Sequence, residues 1–265
     1  HQQPLPNKHC CYDPMTPPSP WQLYDDLIDL IPAGIKVLDA CAGNWACVSS
    51  EAGTGVAMTY SGGPRAGFGA RDIIGRDLRD AAASVKSWDL ELAALGTAAI
   101  NSYLTTEERV GVVPGPEGSE KTTFELHRGT LTGLRAAAIG HFGDIEKYAD
   151  GCDFIILERQ PSGSDFPDPA AEYLLADRDL VFITGSALTN KTLPRLLQLC
   201  AGAKVILVGP SVPFAPEVLP ACVVEIGGSL VSDSAYVRRA VSLGGGMAEA
   251  RPGLRMFNRK IRSKP

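Results

Sequence analysis

The sequence predicts an α/β protein in which a small α+β unit precedes a larger unit built on a mainly parallel sheet. Three observations carry that expectation. In the second half, apolar strand-like runs end at small residues: Leu180-Val181-Phe182-Ile183-Thr184 at Gly185, Val205-Ile206-Leu207-Val208 at Gly209-Pro210-Ser211, and Val223-Val224-Glu225-Ile226 at Gly227-Gly228-Ser229. Helical spacing recurs between these runs, and near-continuous apolar strands separated by helices imply a parallel sheet covered on both faces. In the first half, short runs joined by turn-forming pairs imply an antiparallel meander instead.

Taken in order, residues 1–20 hold Pro4, Pro6, Pro14, Pro17, Pro18 and Pro20, which favours an extended arm over a helix. Trp21 to Ile31 places Leu23, Leu27, Leu30 and Ile31 on one helical face, and Pro32-Ala33-Gly34 ends it. Ile35 to Cys41, Trp45 to Ser49 and Thr54 to Tyr60 read as strands joined by Gly43-Asn44 and Ala52-Gly53, a hairpin pattern that can set Cys41 opposite Cys47. The glycine-rich stretch Ser61 to Gly69 leads into Arg71 to Arg76, which the pattern leaves as a loop. Helical spacing returns in Asp77 to Val85 and in Leu90 to Leu104, where Leu92, Leu95, Ala99 and Tyr103 share a face. Glu107 to Gly129, containing Pro114-Gly115-Pro116, marks the domain junction, so the expected domains are 21–128 and 129–250.

From Leu131 onward strands and helices alternate. Ala136-Ala137-Ala138-Ile139 runs into Gly140-His141-Phe142-Gly143, and Phe154-Ile155-Ile156-Leu157 ends at Glu158. Leu193, Leu196, Leu197 and Cys200 give the face of a crossover helix, with Thr192 as its expected N-cap and Pro194 in its first turn. Asp233 is expected to cap a helix through Val237, Ala240 and Val241. Residues 251–265, with Arg251, Arg255, Arg259, Lys260, Arg262 and Lys264, read as a solvated basic tail.

The same residues carry a resemblance. Ile183-Thr184-Gly185 with Asn190 and Thr192, Val208-Gly209-Pro210-Ser211, and Gly228 with Asp233 before Gly244-Gly245 resemble the family named for heavy-metal chelation, and Leu95-Gly96-Thr97-Ala98-Ala99-Ile100-Asn101 resembles the alanine-rich helix that ends its first domain. The resemblance implies an enolase N-terminal-like domain followed by a Rossmann-like domain, with a site between them. It also implies a role in heavy-metal handling, through making, modifying or binding a chelating metabolite.

A length of 265 residues, 45% of them hydrophobic and 21% charged, suits a soluble globular chain of one large domain or two of roughly 100–150 residues. The net charge of -5 argues against general attraction to nucleic acid or to an anionic membrane. No apolar run reaches the roughly 18 residues of a membrane helix, and the N-terminus lacks signal-peptide order, so a cytoplasmic location is expected. Seven scattered cysteines imply reduced thiols rather than a disulfide framework. No feature sets an oligomeric state.

Two residues are candidates for chemistry. Gly140-His141-Phe142-Gly143 occupies the first strand-to-helix turn of the second domain but lacks the G-x-G-x-x-G pattern of a pyrophosphate grip. Glu158 follows Gly140 by eighteen residues, close to the spacing at which an acid accepts hydrogen bonds from ribose hydroxyls. An adenosyl or other nucleoside-like ligand without a diphosphate fits that reading; a plain strand-end carboxylate beside Arg159 is the alternative. His141 is a candidate proton carrier or metal ligand, against a role as a polar turn residue.

Gly140, Gly143, Thr184, Gly185, Asn190, Gly209, Pro210, Ser211 and Gly228 are the candidate ligand-binding positions of the second domain. Arg71, with Asp72 beside it, and Asn101 are those of the first. A metal ion or metal chelate is a possible partner, and His9-Cys10-Cys11 with Cys41 and Cys47 could supply soft ligands directly in a non-catalytic metal-binding protein. However, C-x-x-C and H-E-x-x-H are missing, and no resident metal site is assigned. A metabolite sensor without turnover is a third reading. G-x-S-x-G and G-x-x-x-x-G-K-[ST] are missing too, which removes the familiar serine hydrolases and ATPases.

Overall fold

A computed structural model describes residues 19–111, 122–143 and 145–261. The proline-rich arm up to residue 18, with His9, Cys10 and Cys11, lies outside the described residues. After the helix α1 (Gln22–Asp29), the strands β1 (Val37–Ala42), β2 (Trp45–Ser50) and β3 (Thr54–Met58) form an antiparallel sheet in the order β1-β2-β3. The helices α2 (Ala70–Ile73), α3 (Leu78–Ala83) and α4 (Leu90–Leu104) follow. Asp77 accepts the Arg79 N–H at the start of α3, and Asp89 accepts the Glu91 and Leu92 N–H groups at the start of α4. The loop expected at Arg71 to Arg76 is in part a helical turn, because the Asp72 carboxylate accepts the Gly69 N–H at 2.8 Å and closes it.

α4 is buried along almost its whole length and lies against one face of the small sheet. Small residues make that approach possible. A Cβ at Gly55 would stand 2.2 Å from the Ala98 carbonyl oxygen and 2.3 Å from the Ser102 nitrogen, so only glycine lets β3 and α4 come this close.

Beyond α5 (Glu107–Val110) and α6 (Thr123–His127), the second sheet holds β4 (Arg135–Ile139), β5 (Asp153–Glu158), β6 (Phe166–Pro167), β7 (Leu180–Thr184), β8 (Lys204–Val208), β9 (Val223–Val231) and β10 (Leu254–Lys260). Their order is β10-β9-β8-β7-β4-β5-β6, parallel except for β10. The helices α7 (Ala171–Leu174), α8 (Ser186–Thr189), α9 (Leu193–Leu199), α10 (Ser234–Ser242) and α11 (Met247–Ala250) connect or flank the strands. Side chains alternate as burial on both faces requires: Ala137, Ile139, Val181, Ile183, Val205 and Leu207 join a core shared with α1 and α4, whereas Ala136, Ala138, Leu180, Phe182, Ile206 and Val208 pack with Phe124, Leu131 and Ile145.

Two expectations are corrected at the C-terminal edge. β9 does not stop at its glycines but runs through Gly227-Gly228-Ser229 to Val231, because β10 pairs along its whole length. The glycines leave room there for side chains: a Cβ at Gly228 would stand 2.6 Å from the Phe257 ring, and one at Gly227 would stand 2.0 Å from Thr123 Oγ1. Residues 254–260 are therefore a strand and not a solvated tail, with Leu254 and Phe257 buried. The basic residues are tied in as well, since Arg259 Nε donates to the Val110 carbonyl at 3.1 Å and Arg255 lies 3.6 Å from Glu107.

α10 clasps the small sheet from the face opposite α4. Val237 and Val241 of α10 pack against Cys47 and Val56. Polar contacts fix the seam: Ser234 Oγ donates to Thr54 Oγ1 at 2.8 Å, Asn44 Nδ2 donates to the Gly244 carbonyl at 2.8 Å, and Arg238 pairs with Asp39. Asp233 accepts the Tyr236 N–H and caps α10 as expected. Among the described residues no helix is long and apolar enough to cross a membrane.

Candidate functional site

Strand order in the large sheet reverses between β4 and β7, and in such sheets the crevice beyond the carboxyl ends of the two diverging strands is the place for a ligand. A cavity of about 350 Å³ lies there, lined by Gly140, His141 and Phe142 after β4, by Thr184 and Ser186 around the end of β7, and by Gly209, Pro210 and Ser211 after β8. Gly140 leaves β4 at φ 103°, a conformation that favours glycine, while its N–H still donates to the Leu157 carbonyl at 2.8 Å.

Glu158, the last residue of β5, is fixed by the backbone around it. One carboxylate oxygen accepts the His141 N–H at 2.8 Å, and the other accepts the N–H groups of Arg159 at 2.7 Å and Gln160 at 3.3 Å. A carboxylate offers about four lone-pair positions, so it retains capacity for a further donor. The His141 ring lies between two carboxylates, with Nδ1 2.9 Å from Asp165 Oδ2 and Nε2 3.0 Å from Glu146 Oε1. The hydrogen bond to Asp165 raises the imidazole pKa against a desolvation cost, with the charges of Asp165, Glu146 and Glu158 adding to it. Burial opposes the charge on Asp165, yet hydrogen bonds from His141 and the Ser162 N–H hold its pKa below the ordinary value. His141 thus keeps its proton to higher pH than an ordinary histidine.

The opposite wall comes from the small sheet. Tyr60 OH donates to Ser186 Oγ at 2.7 Å, and that oxygen lies 3.0 Å from Thr184 Oγ1, giving three linked hydroxyls. Burial raises the Tyr60 pKa. The Arg159 guanidinium sits 5.4 Å from the Tyr60 ring centroid, and its Nε donates to Asp168 at 3.3 Å. Ser211 Oγ accepts the Met58 N–H at 2.9 Å, which docks the end of β3 onto the turn after β8. Asn190 Oδ1 accepts both the Thr192 hydroxyl, at 2.6 Å, and the Thr192 N–H, at 3.1 Å. Thr192 therefore stands at the N-cap position of α9 without capping it by its side chain, because its hydroxyl is given to Asn190.

Of the residues singled out from sequence, the cavity brings together Gly140, His141, Glu158, Thr184, Asn190, Gly209, Pro210 and Ser211. The others sit elsewhere for identifiable reasons. Gly143 and Gly228 line a neighbouring depression beside α6 and β10. Gly185 is packed against backbone, where a Cβ would stand 2.4 Å from the Val212 nitrogen. Arg71 is exposed on α2 and does not line the cavity. Asn101 is buried beneath the site and donates to the carbonyls of Val56, at 3.0 Å, and Ser211, at 3.2 Å, so it braces the wall instead of meeting a ligand.

Sequence reasoning missed Trp45, Met58, Tyr60, Arg159, Asp168, Ser186 and Met247 as lining residues. The available signal was weak: Tyr60 ends an apolar strand at a glycine-rich segment, but nothing local to it says that the strand end meets the second sheet. Among the described residues no group of three or more His, Cys, Asp and Glu side chains is placed to hold a metal ion. Both His141 nitrogens are engaged by carboxylates, so the donor set does not fit a resident metal.

Similarity to known proteins agrees with this architecture. The chain is 31% identical over 175 residues to an uncharacterized protein of Methanocaldococcus jannaschii, a match that spans 62% of this chain and 64% of that relative, less than two thirds of its length. A solved structure of a protein with unknown function from Desulfitobacterium hafniense DCB-2 superposes with a TM-score of 0.83 at 31% identity, covering 91% of this chain and 98% of the other. A second, from Pyrococcus horikoshii, gives a TM-score of 0.74 at 19% identity over 90% of this chain and 98% of that one, which speaks to the fold alone. One family model described as "Putative heavy-metal chelation" matches residues 24–104. Another with the same description matches residues 122–259, just over half of the sequence, and the chain belongs to that family, DUF364.

Proposed function

We propose that the cavity at the strand-order reversal binds a small polar metabolite, nucleoside-like in the part that meets Glu158, enclosed between a first domain of residues 21–128 and a second that runs from residue 129 through β10. The observation that carries this reading is Glu158. It is a carboxylate held by three backbone N–H groups at the end of the strand following the Gly140 turn, where acidic residues of dinucleotide-binding sheets accept ribose hydroxyls. The missing glycine fingerprint points to a ligand without a diphosphate. The family description supports a place for such a ligand in heavy-metal handling, through the making, modifying or binding of a chelating metabolite.

Protonated His141 would give a proton to a leaving or carbonyl oxygen, and the linked hydroxyls of Tyr60, Ser186 and Thr184 would hold a developing oxyanion or a carboxylate by neutral donors. A thermal-shift screen of nucleosides and S-adenosyl compounds tests the binding step, because a specific ligand stabilises the folded chain by mass action. Glu158→Ala is expected to weaken a hit at least tenfold, about 1.4 kcal/mol. A hit that binds Glu158→Ala as tightly as the parent chain removes this residue from the site, and a screen without hits removes the nucleoside-like class.

A further inference from the structure

Cys41 and Cys47 are opposed across the β1–β2 hairpin, and Trp45, on the same face of β2 as Cys47, lines the cavity described above. Directly opposed residues of an antiparallel pair put their side chains on one face with Cβ atoms roughly 4.5–5.5 Å apart, so one bridging atom can reach both thiols. Cys47 is buried among Val56, Val237 and Val241, whereas Cys41 is partly exposed and its Sγ lies 4.0 Å from the Arg238 carbonyl. Backbone pairing on one side and α10 on the other fix both side chains, so little ordering remains for a ligand that bridges them. We propose that Cys41 and Cys47 form a dithiol capture site for a trivalent metalloid such as arsenite.

The chemistry follows from the number and spacing of the donors. No third His, Cys, Asp or Glu side chain is placed to complete a metal cage among the described residues. A pyramidal arsenic(III) centre needs only two sulfurs and keeps its own hydroxyl as the third substituent. Two cross-strand thiols on one face can turn toward a single arsenic and match its bent S–As–S angle. Cys41, the accessible thiol, substitutes first, and Cys47 closes the ring. As(OH)3 and two S–H groups give (RS)2As–OH and two waters, with no change of oxidation state. The site rests on the β1–β2 register and not on the reading of the cavity.

Phenylarsine oxide is the probe, used on the full chain with Cys10→Ser and Cys11→Ser to remove the vicinal pair in the arm. One arsenical per chain is expected to survive excess monothiol, to be displaced by a small dithiol, and to change Trp45 emission. Retention should fall at least tenfold in Cys41→Ser and in Cys47→Ser and persist in Cys200→Ser. Digestion places the adduct independently of any loss of folding, because Cys41 and Cys47 are the two cysteines of the tryptic peptide 37–65. An adduct of one arsenical with that peptide, minus one water, supports the bridge; an adduct mapped elsewhere, or retention unchanged in both serine variants, overturns it.

Discussion

At the scale of single residues, the His141–Asp165 pair ties the site to pH. The folded-state pKa of His141 is raised above the ordinary value near 6.5, so its contribution to stability is fully present below about pH 6.5 and fades as pH rises through the raised value. Asp165 has the opposite sign: its pKa is lowered, so its contribution is present above the ordinary carboxylate value near 3.9 and is lost as pH falls through the lowered one. The pair therefore contributes most between about pH 4 and 6.5. His141→Gln is expected to lower the melting temperature most in that window, with the gap to the parent chain closing toward pH 9 or so; thermal unfolding across this range checks it. A gap that widens with pH would mean that the ring is held neutral. His141 and Glu158 were legible in the sequence because a strand-end glycine and an acid at a fixed later spacing are local signals. Asp165 and Glu146 were not, because only the fold brings them to the imidazole.

At the scale of elements, the small sheet and α4 are matched by the absence of side chains as much as by their presence. Gly55→Ala would drive a methyl into the backbone of α4 at Ala98 and Ser102, where no side chain can rotate away. A loss of about 1–3 kcal/mol is expected, as for other overpacked contacts, and urea unfolding measures it. An unchanged midpoint would show that β3 can slide off the helix at little cost. Except for β6 and β10, the strands were readable from their apolar runs. The true length of β9 was not, because Gly227-Gly228 looks like a turn until Phe257 and Thr123 are seen to fill the space above it. The same local view reads Arg71 to Arg76 as a loop and misses the helical turn Ala70–Ile73, since Asp72 closes that turn through a bond to the backbone.

At the scale of the whole molecule, the two sheets are joined by bonds behind the cavity as well as by those that line it. Asn101 links the Val56 and Ser211 carbonyls across the seam, so Asn101→Ala leaves two buried acceptors short of a donor and should cost about 1–3 kcal/mol. It should also loosen the cavity wall, weakening any ligand that Glu158 holds although residue 101 lies outside the cavity; calorimetric titration beside a melting curve separates the two effects. The turn-linked runs of the first half and the alternation of strands and helices in the second made the two sheets readable, but the way α10 reaches back to the small sheet was beyond any local pattern. The antiparallel strand at the C-terminal edge has a consequence of its own. A chain ended after Gly253 would leave the long β9 with its hydrogen-bonding groups bare and flanked by apolar side chains, a ready template for another copy. Light scattering of that shortened chain should show concentration-dependent clumping, and equal scattering with and without β10 would show that covering the edge of β9 does not guard against sticking.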